Sequence, residues 1–151
     1  MTDQFHELRE LYQEVIFDHN RNPRNFRELE GANRTAVGHN PLCGDQLTVY
    51  LRVNEGVVED VSFVGHGCAI STASASLMTE AVKGRPIEEV EALFHDMHSL
   101  LTEKDPPQRD FGKLAVLSGV REFPVRVKCA TLAWHTLHNA IQGTLEPAKT
   151  E

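Results

Sequence analysis

Between Leu47 and Val53 the chain alternates: Leu47, Val49, Leu51 and Val53 are apolar, with Thr48, Tyr50 and Arg52 between them. A period of two puts one set on each side of an extended backbone, so the stretch predicts a strand with one buried and one wet face. Asn54-Glu55-Gly56 supplies turn chemistry, and Val57 to Val64 returns as the antiparallel partner of a hairpin. Thr35 to Gly38 predicts a short strand ahead of it.

Elsewhere the spacing changes to three and four. Phe5, Leu8, Tyr12, Val15 and Ile16 form one stripe of an amphipathic helix running to about His19. Pro23 and the asparagines around it then break it into a basic loop, Asn20 to Asn25, which includes Arg21 and Arg24. After Gly65-His66-Gly67, a run of small residues from Ala69 to Ser76, followed by Leu77, Met78, Ala81 and Val82, predicts a helix packed closely on the sheet and stopped at Lys83-Gly84. Pro86 opens a third helix, with Ile87, Val90, Leu93, Phe94, Met97, Leu100 and Leu101 as its apolar set, ending before Asp105-Pro106-Pro107. Phe111, Leu114, Val116 and Leu117 suggest a short helix, and Glu122 to Val125 reads as extended under the proline rule. A last helix leads from Cys129 through Leu132, Ala133, Thr136, Leu137, Ala140 and Ile141 to Gly143, and residues 144–151 read as a frayed tail.

The length of 151 residues, with 40% hydrophobic and 25% charged, fits a single domain over 1–151 with its own core. A net charge of -7 argues against nucleic acid as the main partner. No apolar run is long enough to span a bilayer, and no secretory leader is visible at Met1-Thr2-Asp3-Gln4, so a cytoplasmic location is expected, away from membranes. The three cysteines cannot all pair within one chain, which directs attention to metal binding or catalysis.

Those cysteines stand in three loops: Asn40-Pro41-Leu42-Cys43-Gly44-Asp45, Gly67-Cys68 and Lys128-Cys129. Cys68 and Cys129 each fall where a loop is expected to become a helix, a place that favours thiolate. Three thiolates with the Asp45 carboxylate make a closed four-donor set, suited to tetrahedral zinc or to the edge of an iron-sulfur cluster. A closed set leaves no position for a hydrolytic water, and the His-x-Glu with Pro-Cys-x-x-Cys pattern of nucleobase deaminases is missing. Of the eight histidines, His39 and His66 lie nearest the cysteine loops and can stand in for Asp45, whereas His135 and His138 read as surface residues of the last helix.

Four segments in order, Leu11 to His19 with Pro23-Arg24-Asn25, Asn40 to Asp45, Gly67 to Ser71 and Lys128 to Trp134, resemble the IscU/NifU-type iron-sulfur cluster assembly proteins, and the SufU branch in particular. Lys128 replaces the histidine of IscU-like scaffolds, Gly84 to Glu122 is longer than their equivalent, and Phe123-Pro124-Val125-Arg126 stands in place of their Leu-Pro-Pro-Val-Lys motif. The resemblance implies an α+β fold, a small antiparallel three-stranded sheet packed against several helices. It implies zinc bound by Cys43, Asp45, Cys68 and Cys129, and sulfur received from a SufS-type cysteine desulfurase for downstream iron-sulfur assembly proteins. Cys43, on the loop, becomes the sulfur acceptor, and Arg126 matches a SufU-branch arginine near the site. Two other readings are a scaffold carrying a [2Fe-2S] cluster or iron on the same cysteines, and a structural zinc domain that only binds a partner.

Overall fold

The computed structural model describes residues 13–103, 109–143 and 148–149. Phe5, Leu8 and Tyr12 of the expected first helix, and the Asp105-Pro106-Pro107 stop, lie outside the described residues; helix α1 is described over residues 13–21. Strands β1 (Arg34–Asn40), β2 (Asp45–Asn54) and β3 (Val57–His66) follow, then helices α2 (Ala69–Val82) and α3 (Ile87–Thr102), a 3-10 helix (Gly112–Glu122), helix α4 (Pro124–Gln142) and a two-residue strand β4 (Ala148–Lys149).

The three long strands form the expected antiparallel sheet, in the order β3-β2-β1. β4 extends it beyond β1 in parallel, pairing Ala148 with Gly38 and Lys149 with His39, so these two residues of the expected tail are held by the sheet. Alternation puts Leu47, Val49 and Leu51 on the buried face, where they meet Val61 and Phe63 of β3 and the apolar sides of α2, α3 and α4. Helix α4 lies so close to β1 that a side chain at Gly38 would run into Thr136. α2 buries Ala73, Ser74, Ala75 and Ser76 in succession, and its Ser74 hydroxyl donates to the Ala130 carbonyl of α4 at 2.6 Å. Small residues therefore let the two helices approach until their backbones are joined by a side-chain hydrogen bond.

A buried polar pivot ties the N-terminal segment to α2. His19, 1% exposed, lies with Nδ1 2.7 Å from the Ser76 hydroxyl. That hydroxyl also accepts the Arg24 N–H at 2.8 Å, so its own hydrogen is left for His19. Asn25, in the left-handed region at φ 58, donates to Thr79 at 3.0 Å. The basic loop is thus anchored to α2, with Arg24 paired to Asp18 at 2.6 Å. Among the described residues, no helix is long and apolar enough to cross a membrane.

Candidate metal centre

At the tip of the β1–β2 hairpin, Asn40 and Asp45 are the last paired residues, and 41–44 form the turn, with Gly44 at φ 70. Strand alternation continues inward, burying both Asn40 and Asp45 completely. Cys43 is half-buried on the turn, and its neighbour Leu42 is 63% exposed. Cys68 is the N-cap of α2, its sulfur accepting the Ser71 N–H at 3.4 Å. The Cys68 N–H in turn donates to Asp45 Oδ1 at 2.8 Å. Residue 67 must be glycine because a Cβ there would collide with the Asp45 carboxylate. The third sulfur, Cys129, is buried beside the residue that accepts the Ser74 bond.

These elements bring Cys43 Sγ and Cys129 Sγ to 3.3 Å. Donor atoms of Cys43, Asp45 and Cys129 all lie within 4.8 Å of one another. Cys68 falls outside that trio, but its thiol still acts on Cys129, and its backbone holds the Asp45 carboxylate. Asn40 Nδ2 reaches both Asp45 Oδ2, at 3.2 Å, and Cys129 Sγ, at 3.6 Å, while its Oδ1 is buried with no partner. Burial first, and then hydrogen bonding with Cys43, Asp45 and Cys68, pushes the Cys129 thiol far above its ordinary range. Without a cation Cys129 therefore keeps its proton.

Asp45 is 0% exposed and receives two N–H donors, yet among the described residues no lysine, arginine or histidine pairs with it. A buried carboxylate beside the buried Cys129 thiol, with no counter-charge, is a costly arrangement unless a cation joins it. A divalent metal reverses the proton preference, since coordination deprotonates a thiol outright. The sulfur-rich set with one carboxylate oxygen fits zinc, which takes such donors tetrahedrally.

Four expectations change. Cys129 is not at a helix start: α4 begins at Pro124, where a missing N–H costs nothing, so Cys129 sits in the second turn. The proline rule extends only Phe123, at φ -127 and ψ 93. His39 and His66 are exposed and do not join the donor trio. His135 and His138 are half-buried against Phe94 rather than free on the surface. Arg126 is exposed, its guanidinium 4.9 Å from the centre of the Phe123 ring. Phe123 at 49% and Val125 at 53% exposure give α4 an apolar beginning, matching Leu42 on the Cys43 turn. Asn40 is the contributor that sequence reasoning passed over; its signal was the inward register it shares with Ala36 and Gly38.

The NifU-like N-terminal domain family matches residues 11–145. The iron-sulfur cluster assembly scaffold protein IscU of Streptococcus pyogenes serotype M1 is 40% identical over 136 residues, 89% of this chain and 85% of that one. The zinc-dependent sulfurtransferase SufU of Bacillus subtilis strain 168 is 39% identical over 132 residues, 87% of this chain and 89% of that one. Among solved structures, a candidate iron-sulfur cluster assembly scaffold protein for the SUF system from Fervidobacterium islandicum AW-1 superposes with a TM-score of 0.81 at 32% identity, covering 85% of this chain and 94% of that one.

Proposed function

The chain belongs to the NifU-like N-terminal domain family, and from that premise we infer that it serves iron-sulfur cluster assembly by carrying sulfur on Cys43. The donor is a SufS-type cysteine desulfurase in the cytoplasm, and the recipients are downstream iron-sulfur assembly proteins. Cys43, Asp45, Cys68 and Cys129 hold zinc. The observation that carries this reading is the buried, counter-charge-free carboxylate of Asp45 set among sulfurs, with Cys43 alone of them on a turn. Bound zinc supplies the positive charge that keeps the thiols ionised and masks them from stray oxidants.

The residues divide the work. Cys68 and Cys129 are fixed by α2 and α4, and Asp45 is fixed by the Cys68 N–H and by Asn40. Cys43 can turn outward, because Gly44 beside it already occupies a positive φ that leaves the turn unburdened by a side chain. Its thiolate attacks the terminal sulfur of the enzyme's persulfide: a new S–S bond forms on Cys43, the donor's S–S bond breaks, and the enzyme's cysteine leaves as thiolate. The sulfane sulfur moves at constant oxidation state, so no oxidant or reductant is needed. Arg126, at the exposed beginning of α4, offers its charge to the negatively charged persulfide or to the partner's surface.

A scaffold that builds a [2Fe-2S] cluster on the same sulfurs is the second reading, supported by the description of the Streptococcus pyogenes relative as a scaffold. Elemental analysis of aerobically purified protein separates the two: one zinc and no visible absorbance supports the carrier, a coloured oxygen-labile cluster the scaffold. After reaction with desulfurase and cysteine, mass spectrometry should find the added sulfur on Cys43. Sulfur on Cys68 or Cys129 instead would overturn the assignment.

A further inference from the structure

Hydrogen bonds do not reach the four donors of the thiol centre evenly. The Cys68 sulfur accepts the Ser71 N–H at 3.4 Å. Both Asp45 oxygens are engaged, Oδ1 by the Cys68 N–H at 2.8 Å and Oδ2 by Asn40 Nδ2 at 3.2 Å. The same Nδ2 donates to Cys129 Sγ at 3.6 Å. Cys43 Sγ has only the Cys129 thiol, at 3.3 Å, and that hydrogen is lost when Cys129 ionises on a cation. Among the described residues, Cys43 is therefore the one sulfur of the three that no N–H supports.

Asn40 makes that difference at Cys129. It is 0% exposed and pairs across the hairpin with Asp45, so strand register holds its amide against the cluster. Its Oδ1 is buried without a partner. Buried amides are otherwise almost always satisfied at both ends, so this one is held by what its nitrogen reaches. Turned over, it would set its oxygen against the Asp45 carboxylate, which when ionised has no hydrogen to give. The donor to Cys68, by contrast, is a backbone N–H at the start of α2 and needs no side chain. A hydrogen bond to a thiolate stabilises its negative charge, and a thiolate stabilised in this way is a weaker nucleophile. Donors placed around metal ligands tune those ligands by the same means.

Resting on the zinc-bound sulfur-carrier reading above, we propose that Asn40 is a specificity-determining residue that decides which thiolate reacts. Its amide nitrogen, shared between Asp45 and Cys129, quietens the Cys129 sulfur and leaves Cys43 with the electron pair most available to the persulfide. Asn40 acts through Cys129 and Asp45 rather than on the persulfide, so it is a positioning residue. The freedom of the turn and the contrast in hydrogen bonding then select the same cysteine by separate routes, one mechanical and one electronic.

Co2+ loaded onto the metal-free full chain tests this, because sulfur-to-metal charge transfer moves to lower energy when a thiolate loses a hydrogen bond. Asn40→Leu keeps the size of the side chain without its donor, and Asn40→Ala takes its place if the leucine variant does not fold. The bands should move to lower energy at an unchanged ratio of metal to chain. Ser74→Ala loosens the α2–α4 contact beside Cys129 without touching its sulfur, and should leave the bands in place. Limiting iodomethane on the zinc-loaded protein, read by mass spectrometry, is the second measurement. The ratio of label on Cys129 to label on Cys68, which keeps its Ser71 donor, should rise about threefold or more in the Asn40 variant. Unmoved bands or an unchanged ratio in that variant, a shift in Ser74→Ala, or loss of Co2+ from both Asn40 variants overturns the proposal, the last by making Asn40 structural only. A wild type without sulfur-to-metal bands refutes the metal centre itself, and added sulfur away from Cys43 refutes the carrier reading, so those failures are told apart from this one.

Discussion

The His19 pivot and the thiol centre are both built by burying polar side chains against α2, and they differ in how far those groups are satisfied. At the pivot every atom has a partner: Ser76 serves His19 and Arg24, Thr79 serves Asn25, and Glu80 lies 3.6 Å from the remaining His19 nitrogen. At the centre, Asp45 lacks a counter-charge, Asn40 Oδ1 lacks a donor and Cys129 is kept protonated by its surroundings. A closed hydrogen-bond network fixes a structure by itself, whereas an open one is completed from outside. The pivot is scaffolding, and the centre is a receptacle.

Removing the metal is the harshest test of that contrast. A strong chelator should lower the melting temperature by on the order of 10 °C, equivalent to about 3 kcal/mol, because the thiols and Asp45 are then left to one another. Cys129→Ser should reproduce the drop and make the chelator ineffective. Differential scanning calorimetry with and without chelator decides it, and identical curves would show that the centre is as self-sufficient as the pivot.

Gly67→Ala comes next. Its Cβ must displace the Asp45 carboxylate, so zinc affinity measured by competition with a chromophoric chelator should fall about tenfold to a hundredfold, a range typical of lost supporting contacts around a metal. Ser76→Ala is the counterpart at the pivot. It strips partners from His19 and from the Arg24 N–H, and urea denaturation should register a loss of about 1–2 kcal/mol. Zinc affinity should be unchanged in Ser76→Ala; a drop would mean that the two regions are coupled through α2.

Acid gives the smallest effect. Burial and the Arg24 guanidinium hold His19 below its ordinary 6.5, against the opposing pull of Glu80, and burial does the same to His135. The unfolded chain therefore binds more protons than the folded one once the pH drops below about 6.5, so the stability these residues contribute is whole above that value and declines toward pH 5. Thermal melts across this window should show a shallow fall that His19→Gln makes shallower. A flat profile in the wild type would show that neither imidazole is held neutral.

Local patterns announced the hairpin: Leu47 to Val53 alternates cleanly, and Asn54-Glu55-Gly56 closes it with Glu55 and Gly56 at positive φ. The sequence suggested Asp45 and the three cysteines as one set, because few other roles suit that combination; the structure brings Cys43, Asp45 and Cys129 together and joins Cys68 to Asp45 through its backbone N–H. What escaped depended on contacts across the fold. Pro124 could end an extended segment or begin a helix, and packing of α4 on β1 and α2 selected the helix, carrying Cys129 into its second turn. Asn40 looked like a turn residue until the Asp45 pairing turned it inward. The packing of His135 and His138 against Phe94 required knowing that α3 and α4 run side by side, since Phe94 is about forty residues away in the chain.

The turn carrying Cys43 is clamped by the Asn40 and Asp45 pair at its ends and presents Leu42 to solvent beside the thiol. Adjacent Cα atoms are 3.8 Å apart, so a surface that grips Leu42 drags Cys43 with it. Burying a leucine side chain releases about 1.5–3 kcal/mol, enough to tilt the balance between two positions of the turn by tenfold or more. A partner that buried Leu42 would therefore use it as a lever, turning apolar adhesion at one residue into displacement of the sulfur at the next.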